Sequence, residues 1–430
     1  MTSKVIQVQK ILNKNISEAI GKDKKFTMLL ASEPFSLPKE EHRGFNERYE
    51  KIKEFFTITN SLVYKALFHK TKEAKELYTL IFSGKKQEII NEQRLWYKNE
   101  KNPLPLFFRT DESQPGIITE IQCPGSGIAQ VGELQKAWEQ VLGKKLWPDW
   151  DRQIVKDIIK VTKKKNPKLI YLPRSSCIED AELFYQKTAE LGLVYLNPLV
   201  KNNNDYKRLT KKMVLDANFI KAHSYGFQRV WPIFKEMVKS ASKKEITIDV
   251  PPALIFNMKL NMALPFYKRT KQYYPNYIHL LFPETIVIEP NKKIRFENKK
   301  ITYEEYSDLP DRKRKHILKS ASGISIPDIE FGGRGVFSLS RTSRKKCLQL
   351  FKQALTNYKE GERWVIQPEM NKRYEYKTLK HRKIIQESGY AKFSGFYGPN
   401  GLIARRAFFK NYYKVGGSKE TTCAVILPKK

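Results

Sequence analysis

Between Phe45 and about Lys85 the apolar residues recur at helical spacing: Phe45, Tyr49, Ile52, Phe56, Val63, Leu67, Leu77, Leu80 and Ile81. This pattern predicts a helical opening region, whose aromatic stripe reads as core. Pro103 and Pro105 break it. From Leu106 to Cys123 the chain reads as a strand hairpin turning at Pro115-Gly116. A helix from about Val131 to Leu142 follows, stopped by Gly143.

A different rhythm begins near Asp149. Residues 151–164 read as a helix with Ile154, Ile158, Ile159 and Val161 on its apolar side. Leu169–Leu172 reads as a buried strand, Glu179–Leu191 as a helix stopped by Gly192, and Leu193–Leu196 as a second strand. Strand, helix and strand within some thirty residues make a βαβ unit and predict a parallel sheet. Further on, Arg229–Ser240 and Ser343–Tyr358 read as helices. Thr285–Ile288, His316–Lys319, Trp364–Gln367, Leu402–Phe409 and Cys423–Leu427 read as strands.

The chain has 430 residues, enough for two or three domains. Its 80 Lys+Arg against 45 Asp+Glu give a net charge of +35, which suits acidic partners such as nucleotides, nucleic acid or acidic peptides. A lysine-rich genome produces the same excess, and because the basic residues are spread along the chain both readings stay open. No run of about 18 apolar residues occurs, so no membrane partner is expected. The N-terminus lacks a signal-peptide core, and the four cysteines, Cys123, Cys177, Cys347 and Cys423, lie far apart without a CxxC pair. A reduced, cytoplasmic protein without a zinc site is the natural expectation.

Phe108–Gly127 carries the densest chemistry. Glu120 and Gln122, two apart on a strand, share a face, and the hairpin can bring Asp111 beside them, next to Arg109. Three oxygen-bearing side chains on one face suit a hard divalent cation carrying phosphates. No Walker A sequence occurs, and Gly125-Ser126-Gly127 through Gly132 has the wrong spacing for a dinucleotide fingerprint. A second glycine loop, Phe331–Val336, follows the strand that ends in Lys319. Its glycines allow backbone N–H groups to close on phosphate oxygens, and a nearby lysine supplies a point charge.

The order of these parts resembles the circularly permuted ATP-grasp family of glutathionylspermidine synthase and eukaryotic-type glutathione synthetase. The matching segments are FRTDESQPGIITEIQCPG, HILKSASGISIPDIEFGGRGV and ERWVIQPEM. The resemblance implies an α/β fold with α+β elements: an ATP-grasp fold in permuted order, with an inserted Rossmann-like βαβ subdomain and a helical N-terminal region. It divides the chain into 1–105 (helical, substrate surface), 106–148 (permuted metal-binding strands), 149–225 (βαβ subdomain) and 226–430 (nucleotide-clamping subdomains and C-terminal strands). It implies ATP and Mg²⁺ as cofactors and ligation of a small-molecule or peptide carboxylate, acidic substrates included, to an amine through an acyl phosphate.

Residue by residue, the resemblance assigns Asp111, Glu120 and Gln122 to Mg²⁺, and Arg109 to the transferring phosphoryl group. Lys319 would contact ATP phosphates, Gly332, Gly333, Arg334 and Gly335 would form the lid, and Val365 to Gln367 the adenine-side hinge. Arg405 or Arg406 would hold the carboxylate. The family's Glu-x-Asn strand is Glu120-Ile121-Gln122 here, which keeps the amide carbonyl and adds a methylene. Two other readings come from different classes. A basic, aromatic-rich nucleic-acid-binding protein would draw on Tyr267-Lys268-Arg269 and Tyr273-Tyr274, and a degenerate ATP-grasp scaffold would have lost catalysis.

Overall fold

In a computed structural model the protein is described at residues 4–99, 104–123, 126–173, 178–197, 208–222, 231–243, 245–297, 299–321, 335–370, 372–412, 415 and 418–429. The helix Lys39–Phe68 buries Phe45, Tyr49, Ile52, Phe55, Phe56, Leu62, Val63 and Ala66, one face of a helical repeat. It stops at His69, and Thr71 caps the next helix, Lys72–Phe82, by accepting from the Ala74 N–H. The expected helical opening region is thus built of two helices, followed by a third at Gln87–Asn99.

The centre of the molecule is an eight-stranded sheet. Its main path runs Leu29–Leu30, Thr422–Pro428, Gly401–Lys410, Lys383–Gly398, Phe108–Gln114, Ile117–Gln122. Arg373–Lys380 pairs with the first half of the Lys383–Gly398 strand, and Phe35–Leu37 pairs with Thr422–Pro428. Two segments of the N-terminal region thus belong to the sheet, where only helix was expected. Side-chain alternation sorts the strands into two faces. Phe108, Phe393, Tyr397 and Phe409 meet the aromatic stripe of the long helix, with Phe108 stacked on Tyr49 at 5.8 Å and on Tyr397 at 5.1 Å. Phe396, Ala404 and Phe408 face the helices Ile128–Leu142 and Trp150–Thr162.

Two smaller sheets flank this one. The parallel sheet runs Val194–Tyr195, Lys168–Leu172, Phe219–Ala222, Thr247–Asp249. The βαβ unit is its first half, and its last strand lies beyond the expected boundary at residue 225. The clamp sheet is antiparallel: Val336–Ser338, His316–Ser320, Trp364–Pro368, Ile286–Val287. It covers its own core of Leu318, Leu350, Phe351, Trp364 and Ile366.

Arg363 ties the clamp sheet to the N-terminal helices. Its buried guanidinium donates to the carbonyls of Thr79 (2.9 Å), Leu80 (2.8 Å), Ser83 (3.1 Å) and Tyr358 (3.0 Å). It adds charged donors at the C-terminus of the Lys72–Phe82 helix from another subdomain, where a positive charge suits the last carbonyls. Beside it Gly84 and Gly361 touch backbone to backbone. Both have positive φ, and a Cβ on Gly84 would lie 2.3 Å from the Gly361 nitrogen. Replacing Arg363 by Met removes the shared donor from buried carbonyls. We expect a loss of about 3 kcal/mol in denaturant unfolding, partly restored by Arg363→Lys. A loss below about 1 kcal/mol would show that water replaces the guanidinium freely.

Candidate functional site

The hairpin expected from the sequence forms as drawn. Phe108–Gln114 and Ile117–Gln122 pair antiparallel through the Pro115-Gly116 turn, with Gly116 at φ +99°. The register sets Asp111 opposite Glu120 and Arg109 opposite Gln122. On its other edge, Asp111 pairs with Ser394, which pairs in turn with Arg406. One transverse row of the sheet therefore reads Arg406, Ser394, Asp111, Glu120.

Asp111 is almost fully buried, and both its oxygens are engaged. Arg109 donates to it twice, at 2.9 and 2.8 Å, Ser394 at 2.7 Å, Lys392 at 3.3 Å and Gln122 at 3.5 Å. Burial alone would raise its carboxyl, but Arg109 and Lys392 outweigh burial and hold it well below the usual carboxylate range. Glu120 keeps about a third of its side chain exposed (32%), with the Lys259 ammonium 3.6 Å away. Burial pushes Glu120 up too, and Lys259, with Lys392 and Lys319 behind it, brings the net shift below the ordinary value.

Basic groups outnumber these two carboxylates. Arg406 is buried, with no hydrogen-bond partner at Nε, and its guanidinium lies 4.0 Å from the Phe408 ring centroid. Burial, then the neighbouring Arg109, lowers it to about 10. Lys392 is lowered likewise, by burial and by Arg109 and Arg406, against the pull of Asp111. The Ser126 carbonyl accepts from Arg109 at 2.6 Å, and a Cβ on Gly127 would come within 2.8 Å of the Arg406 guanidinium. The Gly127 loop must therefore stay bare to cover these two arginines.

Lys319 reaches this face from the clamp sheet. Its ammonium donates to the Thr119 carbonyl at 3.1 Å and to Gln367 Oε1 at 2.6 Å, and Gln367 donates onward to Thr285. Lys319 pairs with Val365 across the clamp strands. Burial pulls its pKa down to about 8, aided by Lys259 and opposed by Glu120 and Asp111.

Other expectations fall elsewhere. Gly332, Gly333 and Arg334 lie outside the described residues. Gly335 is described, and its carbonyl accepts from the Ser320 N–H beside Lys319. Arg405 does not reach the site. It alternates to the opposite face of the sheet, where Nε donates to the Ile426 carbonyl at 3.1 Å. The aromatic–basic pairs of the nucleic-acid reading are engaged internally. Tyr274 is buried against Thr59, Arg269 is paired with Glu76, and Tyr273 bonds Glu73. Cys123, Cys347 and Cys423 are buried free thiols, and Cys177 lies outside the described residues.

Sequence reasoning missed Lys392, Ser394 and Lys259. Tyr-Ala-Lys-Phe-Ser-Gly-Phe does alternate, placing Lys392, Ser394 and Phe396 on one face, but Gly395 and the charge of Lys392 disguise a central strand. Lys259 sits in a 3₁₀ segment, Lys259–Phe266, with no periodic signature.

As a metal centre the expected triad does not fit. Asp111 has spent both oxygens on four side chains, Gln122 turns its amide nitrogen toward Asp111, and Glu120 faces an ammonium. Among the described residues no three His, Cys, Asp or Glu side chains come together as ligands. Divalent cations need free oxygens, and this arrangement offers cations instead.

No protein-family model and no curated protein matches the chain. Its fold does match a solved structure. A glutathione synthetase-like effector from Globodera pallida, in its apo form, aligns with a TM-score of 0.53 and 7% identity, over 100% of this chain and 98% of that one. The chain thus has an α/β fold similar to that of this glutathione synthetase-like effector. At such identity the likeness is one of fold alone. Among the described residues no helix is long and apolar enough to cross a membrane.

Two predictions follow from the charge arrangement. Asp111→Asn leaves Arg109, Lys392 and Arg406 buried without their shared counter-charge, and should cost about 3–5 kcal/mol in denaturant unfolding. A cost under about 1 kcal/mol would show that Asp111 does not anchor them. Lys319 titrates near 8 when folded against an ordinary 10.5, so between those values the unfolded chain binds more protons. Folding should gain from this lysine as pH rises through that window, with a slope approaching about 1.4 kcal/mol per pH unit. Stability measured across pH 8 to 10 should rise in the native protein relative to Lys319→Met.

Proposed function

We propose that the protein is an ATP-dependent carboxylate–amine ligase of the ATP-grasp type. The observation that carries this reading is Lys319. A buried lysine on the clamp sheet meets the Thr119 carbonyl of the hairpin, so two sheets bring their charged groups to one place. The related fold of a glutathione synthetase-like protein supports the same reading.

Such a reaction transfers the γ-phosphoryl group of ATP to a substrate carboxylate. An oxygen of the carboxylate forms the new bond to phosphorus as the bond to the β-phosphate oxygen breaks and ADP leaves. The amine nitrogen then attacks the acyl carbon, inorganic phosphate departs with the C–O bond, and the nitrogen gives up a proton. The protein's contribution is position and charge. Lys319 would hold the outer phosphates, with Gln367 fixing its ammonium. Arg109, Lys392 and Arg406 would offset the negative charge on the transferring group. Val365 and Gln367, on the strand beside Lys319, remain the candidates for the adenine side. Arg406, with an unpartnered Nε, is better suited to a substrate anion than Arg405.

The nucleic-acid reading loses its aromatic support, because Tyr273 and Tyr274 are taken up by internal contacts. Phosphate release from ATP, screened against pairs of carboxylates and amines, tests the ligase reading. Lys319→Met should lower kcat/KM by about 10²-fold or more while leaving the folded state intact. ATP that is neither bound nor turned over with any pair would sink the proposal and favour a non-catalytic scaffold.

A further inference from the structure

The poor fit of a divalent cation and the surplus of basic groups have one common explanation. We propose that this site is a metal-independent polyphosphate cradle, in which Lys259 and Lys392 supply the charge that a divalent cation would otherwise bring. The inference deepens the ligase reading and rests on it for the identity of the polyphosphate as ATP.

Arg109, Lys259, Lys319, Lys392 and Arg406 converge on two carboxylates, Asp111 and Glu120. Asp111 is spent within the protein, holding Arg109 and Lys392 in place. Glu120, with the buried Asp180 near Arg406, does not balance the remainder, and three of the five cations are depressed below their ordinary values with burial as the leading cause. Buried cations in excess cost free energy until an anion arrives. Two ammonium groups carry the same charge as one divalent cation, and they flank the positions expected of its ligands: Lys392 beside Asp111, and Lys259 3.6 Å from Glu120. The Arg406 Nε, buried and unpartnered, lacks an acceptor at the other end of the row.

The extent of the row selects the class of anion. Arg406, Ser394, Asp111 and Glu120 occupy four successive strands, a span of roughly 14 Å at the usual strand spacing. Lys319 closes over it from the clamp sheet. A lone carboxylate or phosphate satisfies one end of such a row, whereas a linked triphosphate reaches several cations together. Ammonium groups bind phosphate as point charges without demanding octahedral geometry, so the crowded oxygens of Asp111 present no obstacle.

Calorimetric titration of the full chain with inorganic tripolyphosphate and with a non-hydrolysable ATP analogue, each in EDTA and in excess Mg²⁺, tests the proposal. Both anions should bind in EDTA, at least as tightly as within about 3-fold of their affinity in Mg²⁺, and more weakly as salt rises. Lys259→Met should weaken tripolyphosphate in EDTA by about 10-fold. Lys392→Met should do so too, with Lys392→Arg restoring binding. Thermal melts confirm that each variant is folded, and Lys259→Met, which leaves Asp111 untouched, decides the matter if Lys392→Met unfolds. Binding that appears only with Mg²⁺ overturns the cradle and leaves the nucleotide reading standing. Tripolyphosphate bound without metal, but the ATP analogue no tighter, upholds the cradle and removes the nucleotide. If neither anion binds in either buffer, both fall.

Discussion

The cations gathered on this face of the central sheet depend on the buried carboxylate of Asp111. It accepts from Arg109, Lys392, Ser394 and Gln122, drawn from three adjacent strands of the central sheet. Cations cannot be buried in a sheet face without a counter-charge, and the Coulomb term must outweigh desolvation for the cluster to form at all. The cations around Asp111 hold its carboxyl well below the usual carboxylate range despite near-complete burial. The cost is that Asp111 is no longer free for other work. A residue expected to meet a metal is instead the keystone that lets arginine and lysine sit where phosphate could meet them.

The sequence made the hairpin legible because its signals agree. Period-two alternation, a Pro-Gly turn and oxygen-bearing side chains two apart all give one register, and the structure adopts it. The βαβ unit was legible too, its helix Ile178–Ala189 giving way to the turn at Gly192, which has positive φ. The Lys383–Gly398 strand was not. Its first half lies beyond the core, so its residues show no apolar contrast. Ile384 and Ile385 are both well exposed although they point to opposite faces. Its second half is a central strand disguised by Gly395 and Gly398, where close neighbours leave no room for a Cβ. Because that strand carries Lys392 and Ser394, losing it meant losing the partners that decide what Asp111 does.

Arg405 and Arg406 show how much one residue of register matters. As a sequence pair they are interchangeable candidates for holding a carboxylate. On a strand they point to opposite faces, and only Arg406 joins the cluster. Arg405 bonds the Ile426 carbonyl on the far side of the sheet. A burial pattern could not have separated them, since both are buried. The pairing of Arg406 with Ser394, and of Ser394 with Asp111, does.

The overall charge of +35 divides into two populations with different physics. Much of it lies on exposed side chains such as Lys14, Arg43, Lys53 and Lys243, where ion pairs with nearby carboxylates are screened and contribute little. Net charge of that kind influences solubility and long-range attraction but selects no ligand. The central five are different because water is largely excluded and their pairwise repulsions are not screened. An anion that enters there relieves several repulsions together, so its binding should also tie the clamp sheet to the hairpin through Lys319. Composition cannot distinguish these populations. The strand register distinguishes them, because it determines which lysines share a face with Asp111.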